Sequence, residues 1–236
     1  MAATQTQLIE GLNALTAGLV LLSAFAMVTT RQVQGVIRFL VVQSLFVAAS
    51  AFLIGFNRGS IDLLALGAIM IASKVITIPW VLRRLLPGGV YKRREINQAV
   101  NIPSSLLLAL LLAVAAEFLV SPLLATTTEP VIQRNLPIGM ACLLIGAYSL
   151  IARREAIPQL IGLLAMENGA FFAGISIAPD LPLIAELAIA IDVVLIAVVV
   201  GLLTRNITET VGTLFPVYVG LRSRHTCSVD RLLVLA

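Results

Sequence analysis

The sequence has 236 residues, of which 59% are hydrophobic and 12% charged, and its mean hydropathy is +1.04. Soluble domains carry about 25% charged residues, so this composition excludes a soluble globular domain and predicts an integral membrane protein. The net charge of +4 does not indicate nucleic-acid binding, because the basic residues lie in short segments between apolar stretches, where they report topology.

Seven apolar stretches are each near the ~20 residues that cross a hydrocarbon core of ~30 Å as an α-helix. The sequence therefore predicts an all-α integral membrane fold with about seven transmembrane helices. Residues 1–205 form one transmembrane domain in this prediction, and residues 206–236 form a cytoplasmic tail. The predicted spans cover residues 8–29, 35–56, 61–85, 103–122, 136–152, 156–177 and 181–204.

Basic residues fall in alternate connections, which predicts the orientation in the membrane. One set of connections and the tail holds thirteen of them, whereas the other set holds only Arg58 and Arg134. Because basic residues favour the cytoplasmic side, we expect an external amino terminus and a cytoplasmic carboxyl terminus in a bacterial or archaeal inner membrane. The thirteen are Arg31, Arg38, Arg83, Arg84, Lys92, Arg93, Arg94, Arg153, Arg154, Arg205, Arg222, Arg224 and Arg231.

A weak internal repeat relates residues 8–85 to residues 136–205. Asp62 precedes Lys74 by twelve residues, and Asp180 precedes Asp192 by the same interval. In the second span Gln43 takes the place that Glu167 takes in the sixth. These correspondences favour two parallel three-helix modules, with the fourth span as the connector between them.

Three ionisable residues lie in the middle of predicted spans: Lys74, Glu167 and Asp192. A charge at the bilayer centre costs roughly 2.5–3.5 kcal/mol on insertion scales, so such residues are functional candidates, usually in ion or proton paths. Glu167 is a candidate for a proton relay, for a structural hydrogen bond or for a cation ligand. Lys74 is a counter-ion or a relay amine, and Pro79 loosens its helix or simply kinks it.

The sixth span also contains a seam of small residues that predicts close helix contact. Its members recur every three or four positions: Gly162, Ala165, Gly169, Ala173 and Ser176. Glu167 lies about 200° around the helix from Gly169, so we expect both sides of this span to be buried.

The chain contains no catalytic motif, and no cofactor is predicted. Cys142 and Cys227 form no CxxC pair and His225 is the sole histidine, which argues against a metal or iron–sulfur site. A subunit without an active site of its own fits these observations.

Three segments and one short motif resemble component E of hydrogenase-4, a membrane subunit of formate-hydrogenlyase-type group 4 hydrogenases. The segments are SKVITIPWVLRR around Lys74, LIGLLAMENGAFF around Glu167 and IAIDVVLIAVVVGLLTRNI around Asp192, and Gln43-Ser44-Leu45 supports them. The resemblance covers about residues 8–213. The last three spans also resemble the K subunit of respiratory NADH dehydrogenase and the C subunit of multisubunit sodium/proton antiporters.

The resemblance implies a non-catalytic membrane-arm subunit that packs between antiporter-like subunits and the membrane anchor of a hydrogenase module. It implies that Glu167 and Asp192, the latter with Asp in place of Glu, belong to the hydrophilic axis through the membrane arm. We interpret them as proton-relay carboxylates, with Lys74 as their charge partner or a relay amine and Gln43 as a hydrogen-bonding or water-holding station. A subunit of a cation/proton antiporter, a free-standing transporter and a structural scaffold with static charges remain alternatives. Residues 215–236 do not resemble the family, and no function is assigned to them.

Overall fold

The computed structural model describes residues 2–80 and 100–177, which all belong to one compact unit, Met1–Leu195. These residues are almost entirely helical and include no β-strand. The helices are α1 (Ala2–Thr29), α2 (Val33–Arg58), α3 (Ile61–Met70), α4 (Ile102–Leu124), α5 (Pro130–Ala152) and α6 (Ala156–Ile177). A π-helical segment, Ile71–Thr77, continues α3.

Six described helical stretches are long and apolar enough to cross a membrane, the third being α3 together with its π-helical continuation. This confirms the predicted all-α, multi-pass membrane fold. The seventh predicted span, with Asp192, lies outside the described residues, as does the predicted tail. The fifth helix begins at Pro130, six residues before the predicted span, because proline is tolerated in the first turn of a helix and the polar residues after it extend the helix beyond the apolar stretch.

A tight connection sets α3 beside α2. Gly59 ends α2 with a positive φ of 68°, and its backbone N–H donates to the carbonyl of Gly55. The N–H of Ser60 donates to the same carbonyl at 3.0 Å. Glycine suits this position because it adopts the left-handed conformation without steric cost, so α3 turns back directly beside α2.

The described helices pack as a bundle in which α1 contacts α2 and α5, and α2 contacts α3 and α6. Small residues allow close approach where α1, α2 and α3 meet, and they include Ala17, Ala48 and Ala51. By contrast α4 contacts α5 and the edge of α1, and much of its leucine-rich surface is exposed. The buried core of the described bundle is formed mainly by side chains of α1, α2, α3, α5 and α6.

The α5–α6 contact is the most extensive between described helices, and glycines on both helices make it. A Cβ on Gly139 would lie 2.6 Å from the backbone nitrogen of Ala173, and one on Gly162 would lie 2.7 Å from that of Leu150. A Cβ on Gly169 would collide with the backbone nitrogen of Leu143. The small-residue seam of α6 thus packs backbone to backbone against α5.

Candidate functional site

Lys74 is the most deeply buried charged residue among those described, with 1% of its surface exposed. It lies in the π-helical segment, where Thr77 Oγ1 donates to the carbonyl of Ala72 at 2.7 Å. Pro79 follows this segment and lacks the N–H that an α-helix needs. Single-turn π-helical segments often mark functional sites, and this one carries the lysine into the contact between α2 and α6.

The ammonium group of Lys74 has two partners on α6. Its Nζ lies 3.2 Å from Oε2 of Glu167, whose side chain is only 13% exposed. The same Nζ donates a hydrogen bond of 3.0 Å to Oδ1 of Asn168. The structure therefore brings two of the predicted site residues, Lys74 and Glu167, into one ion pair.

Asn168 links this ion pair to α2. Because Lys74 can only donate, the amide of Asn168 presents its oxygen to the lysine and its nitrogen to the opposite side. That nitrogen donates to Ser44 Oγ at 2.8 Å and to Gln43 Oε1 at 3.4 Å. The third predicted site residue, Gln43, thus joins the ion pair through Asn168, which is fully buried.

Gln43 has hydrogen-bonding capacity left over. Its Oε1 faces Asn168, and within the described part of the chain its buried Nε2 has no hydrogen-bond partner. The thiol of Cys142 on α5 lies beside the same side chain. A buried polar nitrogen of this kind is commonly satisfied by an ordered water or by a nearby acceptor, and the thiol sulfur is a weak acceptor.

The resulting Lys74 cluster consists of Gln43, Ser44, Lys74, Glu167 and Asn168 and joins α2, the π-helical segment and α6. It contains one acid and one base in contact, together with amide and hydroxyl groups that can pass hydrogen bonds onward. It contains no nucleophile beside a general base, and within residues 2–80 and 100–177 no three His, Cys, Asp or Glu side chains meet as metal ligands.

Sequence reasoning missed Asn168 and the hydrogen-bonding role of Ser44. The sequence prediction considered ionisable residues and so did not include this asparagine, which directly follows Glu167 in an apolar span. A polar amide in the middle of a span is itself a signal of helix–helix hydrogen bonding. Asp192, the fourth predicted site residue, lies outside the described residues, so its place relative to the cluster remains a prediction.

A second polar cluster joins α1, α2 and α5. Asn13 Nδ2 donates to Asn135 Oδ1 at 3.2 Å, and Ser50 Oγ donates to Asn13 Oδ1 at 2.6 Å. All three side chains are buried. Ser50 lies six residues beyond Ser44 on α2, about 9 Å along the helix, so buried polar groups occur at two levels of the bundle.

Curated relatives are similar to this chain over most of its length. Component E of hydrogenase-4 from Escherichia coli K12 is 27% identical over 209 residues, which cover 84% of the chain and 91% of that protein. The Shigella flexneri component E matches to the same extent. Component E proteins of hydrogenase-4 are therefore homologues of this chain.

An uncharacterised protein of Mycobacterium tuberculosis is also similar to this chain. It is 29% identical over 197 residues, which cover 83% of the chain and 89% of the relative. No protein-family model matches the chain, and no solved structure matches it significantly. The similarity to component E thus covers most of the chain rather than a single motif.

Proposed function

We propose that the chain is a non-catalytic membrane-arm subunit of a group 4 type hydrogenase or a hydrogenase-like complex, and that its Lys74 cluster is a station in a proton path. The family supports the first part, because the named relatives are components of hydrogenase-4. The partners would be antiporter-like membrane subunits and the membrane anchor of the hydrogenase module.

The ion pair between Lys74 and Glu167 carries the second part of the proposal. Taking two charges out of water costs several kcal/mol for each ion, and their attraction only partly offsets this. A scaffold could join the same helices with apolar side chains at no such cost. An acid and a base retained in contact inside the bundle are therefore better explained by proton exchange than by stability.

The network around the pair supports a relay. Glu167 would take up and release the proton, Lys74 would hold the balancing charge, and Gln43 would hold a water at the far end of the network. Asn168 would keep the ammonium beside the carboxylate, because its oxygen accepts from Lys74 while its nitrogen is held by α2. Asp192 would be the next station toward the neighbouring subunit.

Two measurements test this proposal. A tagged chain should co-purify with a nickel–iron large subunit and antiporter-like membrane subunits, identified by mass spectrometry. Recovery of antiporter subunits alone would instead favour the cation/proton antiporter. Membrane vesicles that contain the assembled complex should translocate protons, and loss of translocation in an assembled Glu167→Gln complex would separate a relay from a scaffold.

A further inference from the structure

A polar site lies at the end of α5, away from the Lys74 cluster. Arg153 directly follows this helix and is only 2% exposed. Its Nη2 donates to the carbonyl of Met27 near the end of α1 at 2.7 Å, but its buried Nη1 has no partner among the described residues. Ser149, one helical turn earlier, likewise has a buried Oγ without a partner there.

These two groups line one small cavity where the ends of α1 and α5 meet the beginning of α4. The cavity measures about 10 Å³, which is room for about one water-sized group. Tyr148 closes part of it, and its hydroxyl donates to Ser105 Oγ at 2.8 Å. The lining residues are Val28, Ser105, Tyr148, Ser149, Ala152 and Arg153.

The charge of Arg153 distinguishes this cavity from an ordinary water site. Burial lowers the pKa of Arg153 to about 10, so the guanidinium is still charged at neutral pH. In the described ranges it forms an ion pair with no carboxylate. A buried cation without an anion is strongly unfavourable, and a water of matching size would leave the charge unbalanced, so an anionic oxygen is the better occupant.

The surroundings indicate where that oxygen comes from. Arg153 lies at the membrane end that the basic residues assign to the cytoplasm, and Arg31 and Arg154 are exposed at the same end. Basic sites between helices at this side of a membrane attract anionic head groups. Directly after Ser105, the leucines of α4 are exposed and offer an apolar surface for acyl chains, among them Leu106, Leu107, Leu110 and Leu111.

We propose that this cavity takes one phosphate oxygen of an anionic phospholipid, which accepts hydrogen bonds from Arg153 Nη1 and Ser149 Oγ. The acyl chains of that lipid lie along the exposed leucines of α4. A carboxylate of a partner subunit would satisfy the arginine but would leave this adjoining apolar surface unexplained. The site is independent of proton transfer at the Lys74 cluster.

The test uses the full chain, purified with the subunits that accompany it and stripped of lipid by detergent exchange. Dioctanoyl phosphatidylglycerol is titrated into it, with dioctanoyl phosphatidylcholine as the neutral lipid, and native mass spectrometry counts the bound molecules. Arg153→Gln and Ser149→Ala are compared with Arg154→Gln, which removes the same charge from an exposed neighbour. Inorganic phosphate at the same concentration separates a lipid from a free anion.

We expect wild type and Arg154→Gln to retain one phosphatidylglycerol in preference to phosphatidylcholine. Arg153→Gln should weaken this binding at least about tenfold, since it removes a charge-assisted hydrogen bond, and Ser149→Ala should weaken it about threefold. If Arg153→Gln does not fold, lipid binding by Ser149→Ala tests the proposal instead, because the Ser149 hydroxyl has no hydrogen-bond partner among the described residues. Unchanged lipid binding in both variants overturns the proposal. Competition by inorganic phosphate would overturn it in favour of a free anion. Loss of partner subunits from the variants with lipid binding retained would overturn it in favour of a partner carboxylate.

Discussion

Lys74 and Glu167 form an ion pair of 3.2 Å in the interior of the bundle, although one lies after the third helix and the other in the middle of the sixth. Asn168 holds this pair in place by accepting from Lys74 and donating to α2. The geometry couples three helices through one buried ion pair, and the following predictions test what that pair does.

Replacing Glu167 by glutamine should abolish most proton translocation while leaving assembly intact. The glutamine keeps the size of the side chain and its carbonyl can still accept from Lys74, but it cannot ionise. Glu167→Asp should retain part of the activity. Proton uptake into vesicles is measured beside the amount of assembled complex.

The matched control for this variant is Glu117→Gln, because Glu117 is exposed on α4 and belongs to no described cluster. Its translocation should equal that of wild type. Normal translocation by an assembled Glu167→Gln complex would reduce Glu167 to a structural hydrogen bond.

A double-mutant cycle should show that Lys74 and Glu167 are energetically coupled. Lys74→Met alone leaves an uncompensated buried carboxylate. Removing one partner of a buried ion pair lowers the free energy of unfolding by about 3–5 kcal/mol. Lys74→Met combined with Glu167→Leu removes both charges and should cost less than the sum of the two single changes. Thermal unfolding of the purified chain in detergent measures this, and strictly additive effects would argue against a direct ion pair.

Asn168→Ala should lower stability and proton translocation while leaving Glu167 unchanged. It removes the acceptor of Lys74 and the donor to Ser44, and each buried group left without a partner costs about 1–3 kcal/mol. Asn57→Ala, at an exposed position near the end of α2, is the control. A stable Asn168→Ala variant with full translocation would mean that the ion pair needs no support from α2.

Gly169→Ala should destabilise the chain, because its new methyl group would collide with the backbone of α5 at Leu143. Gly18→Ala is the matched control on α1, where a Cβ meets no atom within 4 Å. In that open position alanine favours the helix by up to ~1 kcal/mol. Recovery of folded chain and of partner subunits from detergent extracts should therefore fall only for Gly169→Ala, and Gly169→Leu should be worse.

Reporter fusions test the orientation that the basic residues predict. Fusions after residues 58, 94, 134, 154 and 180 should report outside, inside, outside, inside and outside in turn. Two neighbouring fusions that report the same side would break the predicted topology between them.

The membrane fold was accessible from the sequence because hydrocarbon imposes a local rule: each apolar stretch of sufficient length must form a helix that satisfies its own backbone. The bounds of α2 and α6 agree with the predicted spans to within two residues, whereas α1 begins six residues before its predicted span and ends with it. The same rule made Lys74 and Glu167 stand out, because a charge in such a stretch is costly.

The partners of these residues were decided by tertiary packing. The sequence spacing of Lys74, Asn168 and Ser44 does not indicate which faces of their three helices meet. Those contacts depend on the close approach of α5 and α6 at Gly139 and Gly169 and on the turn at Gly59. The unpaired cation at Arg153 was likewise hidden, since the count of basic residues treats it like its exposed neighbour Arg154. Local chemistry fixes which groups enter the membrane, and only the packing of helices distant in sequence determines which of those groups touch.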